Sequence, residues 1–259
     1  MARRANRASV LLLALGLGAC AGPLPVPGRL SDEALGFNQR AAKAYERGDF
    51  AQARSLYGRA LEIDAGMDNA DGIAMNSLSL ARVDQALGEA DAAHGHLDRV
   101  LGSAAAAALR AEAAARKAQL HLAAGELSRA DEWLGRAQNL CGQCRTQAAI
   151  INLGARVALA GAQPALAAQR AERALKLPAN DDSRAEHANA QRILGEAKMA
   201  QGDTEGAAEA FRHALRIDQA LGLAGRIQID QKLIEAADLK LRQQRLASPT
   251  AGSQPGEVR

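Results

Sequence analysis

Apolar residues recur along this chain at helical spacing, in segments that are separated by glycine-containing turns. Residues 48–53 (GDFAQA) and 202–207 (GDTEGA) are related, and each segment is followed by an aromatic residue and an Ala-Leu pair. Runs of β-branched and aromatic residues, which would indicate strands, are absent. Alanine and leucine supply most of the apolar residues, and both favour helices. The pattern predicts an all-α fold.

Weaker copies of the turn lie between these two segments, which gives five related units. The turn glycines are 40, 37, 36 and 41 residues apart, and they are Gly48, Gly88, Gly125, Gly161 and Gly202. This arrangement resembles the tetratricopeptide repeat, a helix-turn-helix unit of about 34 residues. The resemblance implies a right-handed α-solenoid of about five repeats, each made of a helix A and a helix B.

The resemblance also implies which residues lie at the contact between helix A and helix B. Two helices approach closely only where side chains are small, and the matching residues of helix A are Ala41, Ala81, Ala118, Gly154 and Gly195. The fourth repeat departs from the pattern. When it is aligned on its glycine, its helix B needs one extra residue in the turn, and Ala171 replaces the large apolar residue.

A second internal repetition concerns the end of the chain. Residues 214–218 (ALRID) match residues 60–64 (ALEID), so residues 226–247 correspond to helix A of a sixth unit that lacks its helix B. Glu235 stands where a small packing residue would be needed, and a polar outer face suits the last helix of a solenoid. We predict a repeat array at 31–225, a capping helix at 226–247 and a disordered tail at 248–259.

The N-terminus has the features of an export signal. Three arginines precede an apolar run at 10–17, which is too short to span a membrane because a spanning helix needs about 20 apolar residues. The run ends in Leu17-Gly18-Ala19-Cys20, which resembles the lipobox of bacterial lipoproteins. The resemblance implies a signal peptide at 1–19 and a covalent lipid on Cys20. The alternative is an ordinary secretory signal with a chance cysteine.

Two further expectations follow for the mature chain. Residues 20–30 are rich in proline and glycine and are expected to form an extended tether. In enterobacterial lipoproteins that resemble this one, aspartate after the lipidated cysteine causes retention at the inner membrane. Ala21 therefore implies the periplasmic face of the outer membrane.

Charge argues against a nucleic-acid partner. The whole chain has 32 basic and 29 acidic residues, a formal net charge of +3. The predicted signal peptide contains three arginines and no acidic residue, so the mature chain has no net charge. A protein that neutralises phosphates keeps a basic surplus.

The pair Cys141 and Cys144 lies at the end of the third repeat and allows several interpretations. Haem attachment would need a histidine next, where Arg145 stands, and a zinc site would need two more ligands. A structural disulfide is favoured in an exported protein, and free thiols or redox activity remain alternatives. The five histidines do not converge in the sequence, and motifs for nucleotide binding or hydrolysis are absent. We predict no enzyme activity, no metal and no cofactor besides the lipid.

The remaining candidate site is the concave groove that the tetratricopeptide resemblance implies, where helices A present their side chains. By offset within the repeat, the expected groove residues are Asn38, Tyr45, Glu46, Arg82, Gln85, Gln119, Asn189, Arg192 and Glu196. The predicted function is a membrane-anchored periplasmic scaffold that binds a protein or peptide in assembly of an envelope complex such as a pilus, a secretin or the cell-wall machinery. A thiol–disulfide enzyme and a self-assembling structural subunit are the alternatives.

Overall fold

The fold was analysed in a computed structural model, which describes residues 27–178 and 183–247. Those residues form eleven α-helices and no strand, in agreement with the predicted all-α class. The helices are α1 (Pro27–Glu46), α2 (Phe50–Gly66), α3 (Ala70–Leu87), α4 (Ala90–Leu101), α5 (Ala107–Ala123), α6 (Leu127–Cys141), α7 (Gln147–Ala160), α8 (Pro164–Leu175), α9 (Arg184–Gln201), α10 (Thr204–Ala220) and α11 (Ala224–Ala247).

The helices pair in chain order into five antiparallel helix A–helix B units, followed by a single last helix. Each helix packs against its neighbours in sequence, and three successive pairs of A helices also contact one another: α3 with α5, α5 with α7, and α7 with α9. The A helices therefore line the inner, concave side of the array, and the B helices form the outer side. This confirms the predicted solenoid with a single C-terminal helix. Across the described ranges, no helix is long and apolar enough to span a membrane.

The turns between helix A and helix B use local chemistry that the sequence signals. Gly48, Gly88, Gly125 and Gly202 all have positive φ angles, between 76° and 86°, a conformation that glycine adopts without steric cost. In the first and fifth repeats the next residue is an aspartate whose side chain caps the following helix. Such a cap satisfies a backbone N–H that the first helical turn leaves unpaired.

The fourth repeat differs from the predicted alignment. Its left-handed turn residue is Ala162, with φ 54°, whereas Gly161 has an ordinary φ of −82°. Counted from Ala162, helix B needs no extra residue, and the turns are spaced 40, 37, 37 and 40 residues apart. The small residue that packs against helix B of the same repeat becomes Ala155, which lies in one cluster with Ala171. The contact predicted at Gly154 is therefore made by Ala155, the next residue.

The predicted tether is also corrected at its end. Helix α1 begins at Pro27, so residues 27–30 are helical rather than extended. Proline suits the first turn of a helix because that turn has no intrahelical partner for its N–H. Helix α11 begins at Ala224, two residues before the predicted capping helix. The predicted signal peptide at 1–19, residues 20–26 and the predicted tail at 248–259 lie outside the described residues.

Close helix contacts at small residues hold the array together. Ala41, Ala81 and Ala118 are almost completely buried at the predicted positions of helix A. The tightest contact is at Gly195, where an added Cβ would lie 2.4 Å from a ring carbon of Phe211 in α10. Phe211 is itself buried, so the ring has no open space into which it could move.

This contact predicts that Gly195→Ala destabilises the protein. Replacing glycine by alanine in a helix normally adds up to about 1 kcal/mol of stability, but here the methyl group would displace a buried ring. Overpacking of this kind typically costs about 1–3 kcal/mol, so the free energy of unfolding should fall, as measured by urea denaturation. Gly135→Ala in α6, where the added Cβ meets nothing within 4 Å, should be neutral or stabilising. An equal loss in both variants would contradict the packing argument.

Candidate functional site: a cleft on the concave face

The concave face contains a cleft of about 300 Å³ between three successive A helices, α5, α7 and α9. Each helix contributes residues spaced three or four apart, because such residues lie on one helical face. The lining residues are Glu112, Ala115, Arg116, Gln119, Thr146, Ala149, Ile150, Asn152, Leu153, Arg156, Glu186 and Asn189.

Polar side chains in this cleft are held in place by one another. Arg116 pairs with Glu112 at 2.6 Å on α5. The amide of Asn152 donates to the Glu186 carboxylate at 2.9 Å, which joins α7 to α9. Charges of both signs line the cleft, together with apolar side chains such as Ile150 and Leu153. The surface therefore suits a ligand with both polar and apolar groups.

Two predicted groove residues, Gln119 and Asn189, line this cleft, and Glu196 lies nearby. Glu196 occupies the same repeat position as Gln119, six residues before the turn. Desolvation raises the pKa of Glu196 above its usual value, while Arg156 and Arg192 act in the opposite direction. The residue still has solvent access.

Arg156 is a cleft residue that the sequence prediction missed. Its guanidinium donates to Asn189 at 3.3 Å, from α7 to α9. Counted from Ala162, Arg156 stands six residues before the turn, as Gln119 does. The prediction placed the fourth turn at Gly161, and this one-residue error hid Arg156. The second and third turns are 37 residues apart, and the same spacing applied once more would have placed the fourth turn at Ala162 and identified Arg156.

The predicted groove residues of the first two repeats lie apart from this cleft. The Arg82 guanidinium lies over the Tyr45 ring, 4.3 Å from its centre. Gln85 faces a different opening at the edge of the array, together with His94 and His121. Glu46 is exposed, and the side-chain oxygen of Asn38 is buried without a hydrogen-bond partner in the described part of the chain. The nine predicted residues therefore do not form one continuous site.

Exposed apolar side chains mark both ends of the concave face. Leu35 in α1 and Met75 in α3 are 55% and 56% exposed, and they stand thirteen residues before their turns, as Glu112 and Asn189 do. The internal repetition gives Ile229 in α11 the same position, and it is 52% exposed. The side chains at this repeat position form one inward-facing row. The row is apolar at both ends of the array and contains both polar and apolar residues at its centre.

Arg192 corrects the predicted groove. Its side chain is buried rather than exposed, and it bonds to two buried aspartates, Asp218 in α10 and Asp230 in α11. The Arg192–Asp230 distance is 2.5 Å. Burial raises the pKa of the Asp230 carboxyl, while the hydrogen bond from Arg192 acts against that change. Arg192 therefore fixes the last helix to the array and is not available to a partner.

A related arrangement lies 154 residues earlier in the chain. The amide of Asn76 donates to the buried Asp64 carboxylate at 2.7 Å, and these residues correspond to Asp230 and Asp218. Asn38 corresponds to Arg192. The two junctions use the same backbone positions, but a cation is present only where two carboxylates meet. Pairing is needed because a buried charge without a partner is strongly unfavourable.

Removing the cation should therefore destabilise the C-terminal end. Arg192→Ala leaves two buried carboxylates together, and loss of one partner of a buried ion pair typically costs about 3–5 kcal/mol. The free energy of unfolding of α11, followed by hydrogen exchange of its amides, should fall by that amount. Adding Asp218→Asn and Asp230→Asn to Arg192→Ala should recover much of the loss. No recovery in the triple variant would show that the charges are not the cause.

The two cysteines of the third repeat lie close together. Cys141 and Cys144 form a disulfide in the structure, across the turn from α6 to α7. Cys141 is 8% exposed and belongs to a core cluster with Leu134 and Ile150. Its position, sixteen residues after the turn, corresponds to Asp64 and Asp218. No group of three potential metal ligands occurs among the described residues.

Thiol labelling tests whether the bond exists in the native protein, taken from the cells that produce it. We expect negligible labelling of Cys141 and Cys144 in the folded protein until a reductant is added. The closed loop is short, so reduction should lower the free energy of unfolding by no more than about 2 kcal/mol. Rapid labelling of the folded protein before reduction would contradict the disulfide.

Two histidines meet, contrary to the sequence analysis. The rings of His94 and His121 are 5.0 Å apart, and His121 also contacts the Glu126 carboxylate at 2.7 Å. They come from different repeats, so their spacing in the sequence gave no indication of the contact. Burial lowers the pKa of His94, and the neighbouring Lys117 adds to this effect.

Comparison with known proteins supports the fold. No protein-family model and no curated protein matches this sequence. Among solved structures, PilF of Pseudomonas aeruginosa superposes with a TM-score of 0.57 at 17% identity, over 85% of this chain and 95% of that chain. BtubC from P. vanneervenii superposes with a TM-score of 0.63 at 20% identity, over 76% of this chain and 84% of that chain.

A third similar structure is that of a Podosopora anserina protein with nearly identical TPR-like repeats. It superposes on this chain with a TM-score of 0.56 at 19% identity, over 77% of this chain and 99% of that chain. At these identities the likeness concerns the fold alone. The chain has the fold of tetratricopeptide-repeat solenoids.

Proposed function

We propose that this chain is a lipid-anchored scaffold that binds a protein or peptide segment in the cleft between α5, α7 and α9. The observation that carries the proposal is the alignment of side chains from three successive A helices along one open cleft. A solenoid that stacks its A helices creates such an extended concave surface. The proposed role is the assembly of a complex in the cell envelope.

The chemistry of the cleft supports a peptide segment as its ligand. Arg116 and Arg156 supply guanidinium donors, Gln119 and Asn189 supply amides, and Glu186 supplies an acceptor. An extended backbone offers both donors and acceptors to such side chains. The exposed Met75 and Leu35 continue the face toward the first repeat and suit apolar side chains of the same segment.

The proposed location is the periplasmic face of the outer membrane. It is supported by the lipobox at Cys20 and by Ala21, and a disulfide at Cys141 and Cys144 suits an oxidising compartment. A thiol–disulfide enzyme, the alternative function, would need an accessible cysteine pair. The burial of Cys141 argues against that alternative.

Photo-crosslinking in living cells tests the cleft. A photoreactive amino acid at Gln119, which is exposed in the cleft, should give a discrete adduct of higher mass. The same group at Arg173, exposed on helix B of the fourth repeat, should not. Arg116→Ala with Arg156→Ala should reduce the Gln119 adduct about ten- to hundredfold or more. Each lost charge-assisted hydrogen bond typically costs about 1.5–3 kcal/mol of affinity.

The control for this experiment lies on the outer side of the array. Arg136 pairs with Glu132 at 2.7 Å on α6, and Arg136→Ala should leave the Gln119 adduct unchanged. Both the double variant and the control should unfold within about 1 kcal/mol of the parent, since ion pairs between residues four apart on one helix contribute little. Loss of the adduct in Arg136→Ala, with retention in the double variant, would move the binding site to the outer surface.

A substitution at the proposed lipidation site tests the membrane anchor. Cys20→Ser removes the thiol that would carry the lipid, so the protein should no longer incorporate labelled fatty acid. It should also leave the membrane fraction when membranes are washed at high ionic strength. Labelled fatty acid in the Cys20→Ser protein would contradict the assignment.

A further inference from the structure

The first helix differs from the later A helices on the side that faces the preceding repeat. In α3, Leu80 and Val83 pack against Tyr57 of the repeat before it. In α11, Ile234 packs in the same way with Phe211. Leu80 and Val83 stand eight and five residues before the turn of their repeat, and Ile234 corresponds to Leu80 in the internal repetition. In α1 those positions hold Arg40 and Lys43, which are both exposed.

Further cations extend this N-terminal face. Arg47 lies in the turn directly after α1, where it continues the stripe of Arg40 and Lys43, and is exposed. The guanidinium groups of Arg40 and Arg59 both lie over the Phe37 ring, 4.5 and 5.1 Å from its centre. We name Arg40, Lys43, Arg47 and Arg59 the basic end face. Cation–π contacts hold two of its charges at one site.

The basic end face is not neutralised by ion pairs in the part of the chain that the structure describes. Arg40 donates to the carbonyl of Gly36, and Arg47 donates to the side chain of Gln52. None of the four cations forms an ion pair with a described carboxylate. The exposed acidic residues of α1 are Asp32 and Glu33 in its first two turns and Glu46 at its end, so basic residues exceed acidic ones in the second half of the helix and the turn that follows it. A polar face alone would end the array, whereas four unpaired cations favour an anionic partner.

We propose that the basic end face lies on the surface of an anionic phospholipid membrane and orients the solenoid there. The proposal rests on the lipid anchor of the proposed function. Cys20 is seven residues before Pro27, and a chain spans at most about 3.6 Å per residue, so the lipid would be within about 25 Å of α1. The N-terminal end of the solenoid therefore has to stay near the lipid head groups.

Charge also argues against the other partners of this face. In a head-to-tail stack of two copies, α1 would meet the outer face of α11, where Lys232, Arg242 and Arg245 are exposed and Glu235 is the exposed acidic residue. Like charges would oppose each other there. Nucleic acid is disfavoured because the mature chain has no net charge. A membrane uses only the one face that the anchor brings to it.

The consequence for function is orientation. A lipid on a short tether fixes the distance of the protein from the membrane but not its direction. Contact through the basic end face would place α1 against the membrane and the later repeats successively farther away. The cleft between α5, α7 and α9 would then face sideways into the periplasm, accessible to a partner.

Vesicle flotation of the full mature chain with Cys20→Ser, which has no acyl chain, tests the proposal. The protein should float with vesicles that contain phosphatidylglycerol, should not float with phosphatidylcholine alone, and should be released by salt, because screening weakens exposed charges. Each basic residue near an anionic surface contributes about fivefold to binding. Arg40→Gln, Lys43→Gln and Arg47→Gln together should therefore weaken binding about a hundredfold.

A matched triple variant provides the control. Lys232→Gln, Arg242→Gln and Arg245→Gln remove the same charge from α11 and should leave flotation unchanged. Circular dichroism establishes that both triple variants keep their helices. Equal flotation of the two triple variants, equal binding to neutral vesicles, or equally tight binding to duplex DNA would each overturn the proposal.

The outcome is separable from the test of the cleft. Arg116→Ala with Arg156→Ala should float like the parent, since these residues lie far along the array on α5 and α7. If flotation fails while the Gln119 adduct persists, the membrane contact is wrong and the scaffold function stands. If the adduct is lost while flotation persists, the binding role of the cleft is wrong and the membrane contact stands.

Discussion

Close approach between neighbouring helices is the constraint on which the rest of this structure depends. With few aromatic residues, the chain fills its interior mainly with alanine and leucine, and small side chains fill space only when backbones come near one another. Ala41, Ala81 and Ala118 are buried where helix A meets helix B, and Gly195 leaves room for the ring of Phe211. Because each repeat uses the same contact, the repeats stack in register and their A helices line one concave face.

Three of the five junctions between repeats add polar or covalent contacts to these apolar contacts. At the first junction an amide binds a buried carboxylate, Asn76 to Asp64. At the third junction the disulfide of Cys141 occupies the corresponding position. At the last junction Arg192 lies between two aspartates. Buried polar groups are stable only when they are paired, so these junctions define how one repeat meets the next.

The concave cleft and the basic end face are two outcomes of the same repeat geometry. A helical position that faces inward repeats in every A helix, so Gln119, Arg156 and Glu196 form a row without any local signal for a site. A position that faces the preceding repeat is at least partly buried in every unit but the first. In α1 it is left open, and cations occupy it at Arg40 and Lys43. The concave cleft therefore suits a segment of a partner protein, and the basic end face suits an anionic membrane surface.

Local pattern in the sequence was sufficient for the helices, most turns and the all-α repeat class, because helix periodicity and glycine turns depend on neighbouring residues. It also identified Gln119 and Asn189 of the cleft. It placed the fourth turn at Gly161 because glycine is the usual left-handed residue, whereas Ala162 adopts that conformation in the folded protein.

Only the tertiary structure decided which polar residues remain free. Arg192 has the sequence environment of a groove residue, yet it is buried by Asp218 and Asp230, which lie 26 and 38 residues away. Likewise, His94 and His121 meet only because two repeats stack. A repeat pattern fixes the direction in which a side chain leaves its helix. The side chains that surround it come from other repeats, and packing between repeats determines whether it meets solvent, a partner charge or another ring.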